Sequence, residues 1–124
     1  MTAESQNRNE IPASLRQAVA AAQDRKALDL RVLHLEEVAD FTDFFVICSG
    51  ASDRQVKAIA EGIVRRMRDF KVRPHHLEGL RHGRWVLIDF GAFVVHVFDQ
   101  ETRSYYGLEG LWADAPDVTG ELGP

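Results

Sequence analysis

Trp85-Val86-Leu87-Ile88-Asp89-Phe90-Gly91-Ala92-Phe93-Val94-Val95-His96-Val97-Phe98 is the stretch that decides the fold. Four consecutive apolar positions, Trp85 to Ile88, precede Phe90-Gly91-Ala92, which can turn the chain, and a second run, Phe93 to Phe98, is apolar on both faces around His96. Runs of this kind suit strands covered on both sides of a sheet. Downstream stand Tyr105, Tyr106, Leu108, Leu111 and Trp112, interleaved with Arg103, Glu109 and small residues. Closing one core does not require so many large rings, so part of this segment is expected to face a partner.

Working outward, the residues before the hairpin supply the remaining elements. Leu28 to Leu35 reads as a strand with Leu30, Val32 and His34 on one side and Arg31, Leu33 and Leu35 on the other. Glu36 to Asp43 is an acidic loop carrying Phe41, and Phe44-Phe45-Val46-Ile47-Cys48 is continuously apolar, as a central strand would be. Ser49 to Asp53 turns into the longest helix. Ser52 with Gln55 forms a capping-box pattern, and Val56, Ile59, Ala60, Ile63, Val64, Met67 and Phe70 recur at helical spacing. An earlier helix starts at Pro12 with a narrow stripe of Leu15, Ala18, Val19 and Ala22, which suggests a place at the sheet margin. His75 to Glu78 is a short strand, and helical turns are expected at Glu101 to Tyr105 and Leu108 to Trp112. The order predicts an α/β fold: a single domain, residues 11–115, with a mixed β-sheet flanked by helices. Residues 1–10 read as a disordered lead-in and residues 116–124 as a disordered tail without a packed role.

Composition narrows the function. A chain of 124 residues, 45% hydrophobic and 27% charged, accommodates one globular core. The net charge of −4 and a pI near 5.7 argue against primary nucleic-acid binding through a basic face and favour a basic protein partner. Cys48 is the only cysteine, so no intrachain disulfide can form. With no apolar run long enough for a bilayer and no targeting pattern at Met1 to Glu10, the expectation is a cytoplasmic protein with no membrane association.

Several residues invite chemistry, and most have a plainer role. Ser49-Gly50-Ala51-Ser52 lies where a strand meets a helix N-terminus and could hold a phosphate. Nucleotide transfer also needs paired carboxylates for a metal, and Asp89 stands alone, so a structural turn is favoured. His75 and His76 alternate across a strand and cannot easily share an ion. His96 is read as hydrogen-bonded in place, Cys48 as inert, and no cofactor or metal is expected. Trp85 and Tyr106 fit a core or a binding hot spot equally well, whereas Trp112 leans towards the core.

Four motifs in register bring a family into view. Asp43 to Val56, Glu78-Gly79, Trp85 to Gly91 with Val94 to Phe98, and Glu101-Thr102-Arg103-Ser104-Tyr105-Tyr106-Gly107-Leu108-Glu109-Gly110-Leu111-Trp112 resemble the ribosomal silencing factors, the RsfS or Iojap family, from about Pro12 to Ala115. The resemblance implies a nucleotidyltransferase-like fold without the catalytic carboxylates, and a protein that is not an enzyme. It implies binding to ribosomal protein uL14 on the intersubunit face of the large subunit, blocking subunit association and repressing translation when nutrients are scarce. Carried over by position, the contact residues are Trp85, Asp89, Tyr106, Leu108 and Glu109, with Arg103 and Trp112 beside them. It also implies a possible homodimer when free. Ala92 departs from the acidic residue usual after the hairpin glycine, so this chain lacks the carboxylate that the family would bring to that position. A nucleotide-binding or nucleotidyltransferase-type enzyme and a large-subunit assembly factor are the alternatives.

Overall fold

The computed structural model describes residues 11–36 and 38–122. The lead-in expected at residues 1–10 lies outside the described residues. Five strands, β1 (Leu28–His34), β2 (Phe44–Gly50), β3 (His76–Glu78), β4 (Trp85–Asp89) and β5 (Phe93–Asp99), form one sheet in the order β1-β2-β5-β4-β3. β2 and β5 run parallel and the other neighbours antiparallel, so the sheet is mixed, as expected. Parallel pairing needs a long crossover, and α2 (Asp53–Asp69) provides its main part. α1 (Ala13–Asp24) precedes the sheet, while α3 (Gln100–Tyr106), α4 (Leu108–Leu111) and a 3-10 turn at Thr119–Leu122 follow it.

α2 forms because its sequence caps and polarises it. The Ser52 hydroxyl accepts from the Gln55 N–H at 3.1 Å, and the returning Gln55 side chain accepts from the Ala51 N–H at 2.6 Å, one residue earlier than a standard capping box. Its apolar stripe, Val56, Ile59, Ala60, Ile63 and Met67, is fully buried against one face of the sheet. Each larger side chain in it contributes about 2 kcal/mol of gross hydrophobic stabilisation. Phe70, expected to continue the stripe, caps the C-terminus and is 48% exposed, because the helix ends before it can point inward.

α1 packs along α2, and its small side chains allow a close approach. Leu15, Ala18 and Ala22 are fully buried in the main core, so α1 does not lie out on a margin. Asp24 and Gln17 of α1 both meet Arg66 of α2. Beneath the two helices lie Val32, Val46, Val86, Ile88, Val95 and Val97, one face of the sheet.

β2 is buried throughout and β5 from Phe93 to Phe98, as their apolar runs predict. β4 departs from that expectation. It alternates, with Val86 and Ile88 fully buried and Trp85, Leu87 and Asp89 only half-buried, because among the described residues no long helix covers its second face.

The segment after Ala115 corrects a further expectation. Among residues 116–122, Val118 is buried, its N–H donates to the Val32 carbonyl at 2.8 Å, and the Pro116 carbonyl accepts from the His34 N–H at 2.9 Å. Thr119 Oγ1 accepts from the Val32 N–H at 2.8 Å. The tail therefore straps the outer edge of β1 and satisfies backbone groups that an edge strand leaves open.

Candidate interaction surface

Alternation along the strands builds a second, smaller cluster on the sheet face away from α1 and α2. Leu33, Phe45, Ile47, Val94 and Phe98 form it, with Leu35 and Ala115, and Trp85, Leu87, Leu108 and Trp112 pack half-buried against it. Around its rim, Phe41 is 59% exposed and Tyr106 55% exposed. Of the two rings left open in the sequence, Trp85 packs half-buried against the cluster, whereas Tyr106 stands mostly outside it. Trp85 makes tilted ring contacts with buried Phe98 at 4.9 Å and with exposed Tyr106 at 4.8 Å. Trp112 meets Phe45 edge-on at 5.9 Å, in keeping with its lean towards the core, and touches exposed Phe41 at the same distance.

His96 lies beneath these rings. Its Nδ1 accepts from the Trp85 Nε1–H at 3.1 Å, which leaves the proton of the neutral ring on Nε2. Nε2 is the one buried side-chain polar atom without a partner among the described residues, at a cost of about 1–3 kcal/mol. Burial pushes the His96 pKa down to about 4, so the ring is neutral at physiological pH.

Arg103 ties the aromatic segment to the sheet. Its Nε and Nη2 donate to the two carboxylate oxygens of Glu109, each at 2.9 Å, and Nη1 donates to the Ser49 hydroxyl at 2.7 Å. The hydrogen bond from Arg103 holds the Glu109 carboxyl below the usual carboxylate range. A left-handed Gly107, φ 57°, separates α3 from α4 and lets Glu109 turn back to Arg103.

The seven sequence-derived residues are not all in one place. Trp85, Tyr106, Leu108, Arg103, Glu109 and Trp112 border the second face or its closing segment. Asp89 lies at the opposite end of β4: Trp85 pairs with Phe98 and Asp89 with Val94, a separation of about 13 Å along the strand. Asp89 Oδ1 also accepts from the Gly91 N–H at 2.8 Å, locking the hairpin turn where Gly91 has φ 90°. Beside Trp85 and Tyr106 opens a groove of about 730 Å³ whose walls include Asp53, Glu101 and Tyr105. Tyr105 belongs to the aromatic segment expected to face a partner, but sequence reasoning did not single out Asp53, Glu101, Leu87 or Phe41 for this surface. Period-two alternation from Trp85 was the signal for Leu87; nothing local marked the others.

The residues of the enzyme alternative are likewise dispersed. Ser49 pairs with Phe98 and Asp89 with Val94, so they stand at opposite ends of the sheet. Ser49 is engaged by Arg103, Ser52 by its own helix, and a Cβ at Gly50 would lie 2.8 Å from the Val56 nitrogen, so that glycine serves packing of β2 on α2. Burial raises the Cys48 pKa to about 12, and His76 pairs with Glu78 at 2.8 Å on the exposed edge strand. Among the described residues no three potential ligands gather around a metal position, and no helix is long and apolar enough to cross a membrane.

Fold and surface together define a small mixed-sheet α/β protein with a partly uncovered aromatic face. Residues 8–123 match the family described as ribosomal silencing factor during starvation. The chain is 45% identical over 102 residues to the ribosomal silencing factor RsfS of Bacillus subtilis, covering 82% of this chain and 86% of that one. It is 35% identical over 97 residues to the mouse mitochondrial assembly of ribosomal large subunit protein 1, covering 76% of this chain and 42% of that one. A crystal structure of a Chromobacterium violaceum protein, 34% identical, superposes with a TM-score of 0.81 over 84% of this chain and 87% of that one. This chain belongs to the ribosomal silencing factor family.

Proposed function

We propose that the protein silences translation by occupying the large ribosomal subunit. It binds ribosomal protein uL14 on the intersubunit face and thereby blocks association with the small subunit when nutrients are scarce. The observation that carries this reading is the Trp85–Tyr106 pair, 4.8 Å apart and half open on a sheet face that no long helix among the described residues covers, in a chain of this family. Large rings at the edge of a packed cluster are the kind of side chain that dominates binding energies. Leu108 and Trp112 extend the apolar contact.

The charged contacts need reassignment. Glu109 is already neutralised by Arg103 and Asp89 is engaged in its turn, so Asp53 and Glu101 in the groove are better placed to meet a basic partner. The action is steric, is performed in the cytoplasm, and requires no catalysis and no cofactor. The sheet is read as nucleotidyltransferase-like, and the free protein as able to pair with a second copy.

Sedimentation with purified subunits tests the proposal. The protein should travel with the large subunit and lower the yield of joined ribosomes, and failure to co-sediment removes the reading. A role in large-subunit assembly is the second reading, favoured by the name of the mouse relative. It predicts large-subunit precursors in a deletion strain during rich growth, when silencing is not needed.

A further inference from the structure

His96 is a buried polar group that steric occupancy of the ribosome leaves without a task. It sits on β5, opposite Leu87 of β4 and Ile47 of β2, with Phe45 edge-on at 4.5 Å and Phe98 stacked at 6.1 Å. An apolar side chain would suit those neighbours and would leave no orphaned Nε2. The chain instead keeps an acceptor there, and the bond it accepts comes from Trp85.

Phe98 and Tyr106 both lie against the Trp85 ring, tilted to it by 30° and 48°, but such contacts restrain the plane of an indole more than its rotation within that plane. A directional N–H bond to an acceptor on a central strand removes that freedom. Water cannot substitute, because His96 is buried. The geometry points to His96 as a positioning residue: its Nδ1 fixes the edge of the Trp85 indole that faces the ribosomal partner, so the ring is ordered before binding. Ordering a contact side chain in advance lowers the entropic cost of association. This inference rests on Trp85 being a contact residue.

Asparagine and glutamine separate positioning from packing. His96→Asn keeps an oxygen near the place of Nδ1, whereas His96→Gln moves its oxygen one bond further, towards the place of Nε2, and His96→Leu removes the acceptor. Large-subunit affinity should stay within about threefold for His96→Asn and fall about tenfold or more for His96→Gln and His96→Leu. In a Trp112→Phe background, which leaves Trp85 as the single indole, its N–H proton should be slow to exchange and shifted downfield in wild type and His96→Asn, and lose both signatures in the other two. Should His96→Leu not fold, the Asn and Gln pair carries the comparison. Equal affinities for Asn and Gln, or a fast-exchanging indole N–H in the His96 parent, overturn the inference. Trp85→Ala distinguishes the two levels: if it binds like wild type, the contact reading fails, and if it loses binding while His96→Gln and His96→Leu do not, only the positioning role of His96 fails.

Discussion

Arg103 and Glu109 form a two-pronged ion pair that fastens α3 to α4, and the same guanidinium reaches the Ser49 hydroxyl at the end of β2. Arg103 is only 12% exposed, so this pair is better shielded than a surface salt bridge. Its geometry places Leu108 and Trp112 against the second face of the sheet.

Arg103→Met should lower stability by about 1–2 kcal/mol, through the loss of a bidentate pair and of the partner of the buried Ser49 hydroxyl. Because Glu109 has a depressed folded pKa, its contribution is present above the unfolded carboxylate range near pH 4.3 and lost as pH falls through the lower folded value. Chemical unfolding of wild type and Arg103→Met between pH 7 and pH 3 checks both: the difference between them should shrink at the acid end.

Tyr106→Ala is the cleaner probe of the surface. The ring is more than half exposed, so its removal should change stability by less than about 1 kcal/mol while weakening large-subunit binding by more than about 1 kcal/mol. Trp85→Ala should weaken binding too, but with a fall in melting temperature, since its ring also packs on Phe98 and bonds His96. Titration of the subunit alongside thermal melts separates the two.

Removing residues 116–124 should destabilise the domain by more than about 2 kcal/mol, from the buried Val118 side chain and the backbone bonds to Val32 and His34. A denaturant midpoint equal to wild type would mean that the strap contributes nothing. Val118→Asp should act in the same direction, since it buries a carboxylate among apolar neighbours.

His96 titrates at about 4 in the fold and near 6.5 unfolded. With the folded value depressed, the unfolded chain binds the extra proton first, so stability is complete above pH 6.5 and declines as pH falls towards 4. The full effect is roughly 3 kcal/mol, and His96→Asn should remove most of it. Urea midpoints across that interval give the measurement.

Much of the architecture is legible locally. The capping pair Ser52 and Gln55, the stripe from Val56 to Met67 and the unbroken apolar runs of β2 and β5 each state their element within a few residues. Phe70 and the tail were misread for two reasons: a helical period does not say where the helix stops, and a polar, glycine-rich segment does not reveal the single Val118 that anchors it. In the candidate surface, Trp85 and Tyr106 stood out by residue type, whereas Asp53 and Glu101 reach the same groove only through folding.

The sequence by itself determined the elements, the mixed-sheet class, the family and the aromatic character of the segment after the hairpin, because periodicity, capping and motif spacing are properties of near neighbours. Tertiary structure alone decided which sheet face stays partly open and that Asp89 serves a turn at the far end from Trp85. It also decided that Glu109 is already paired through Arg103, which in turn reaches Ser49, and that Val118 returns to Val32. Apart from the Asp89 turn and the Arg103–Glu109 pair, these contacts join residues far apart in the chain, and their energy exists only once the sheet has brought them together.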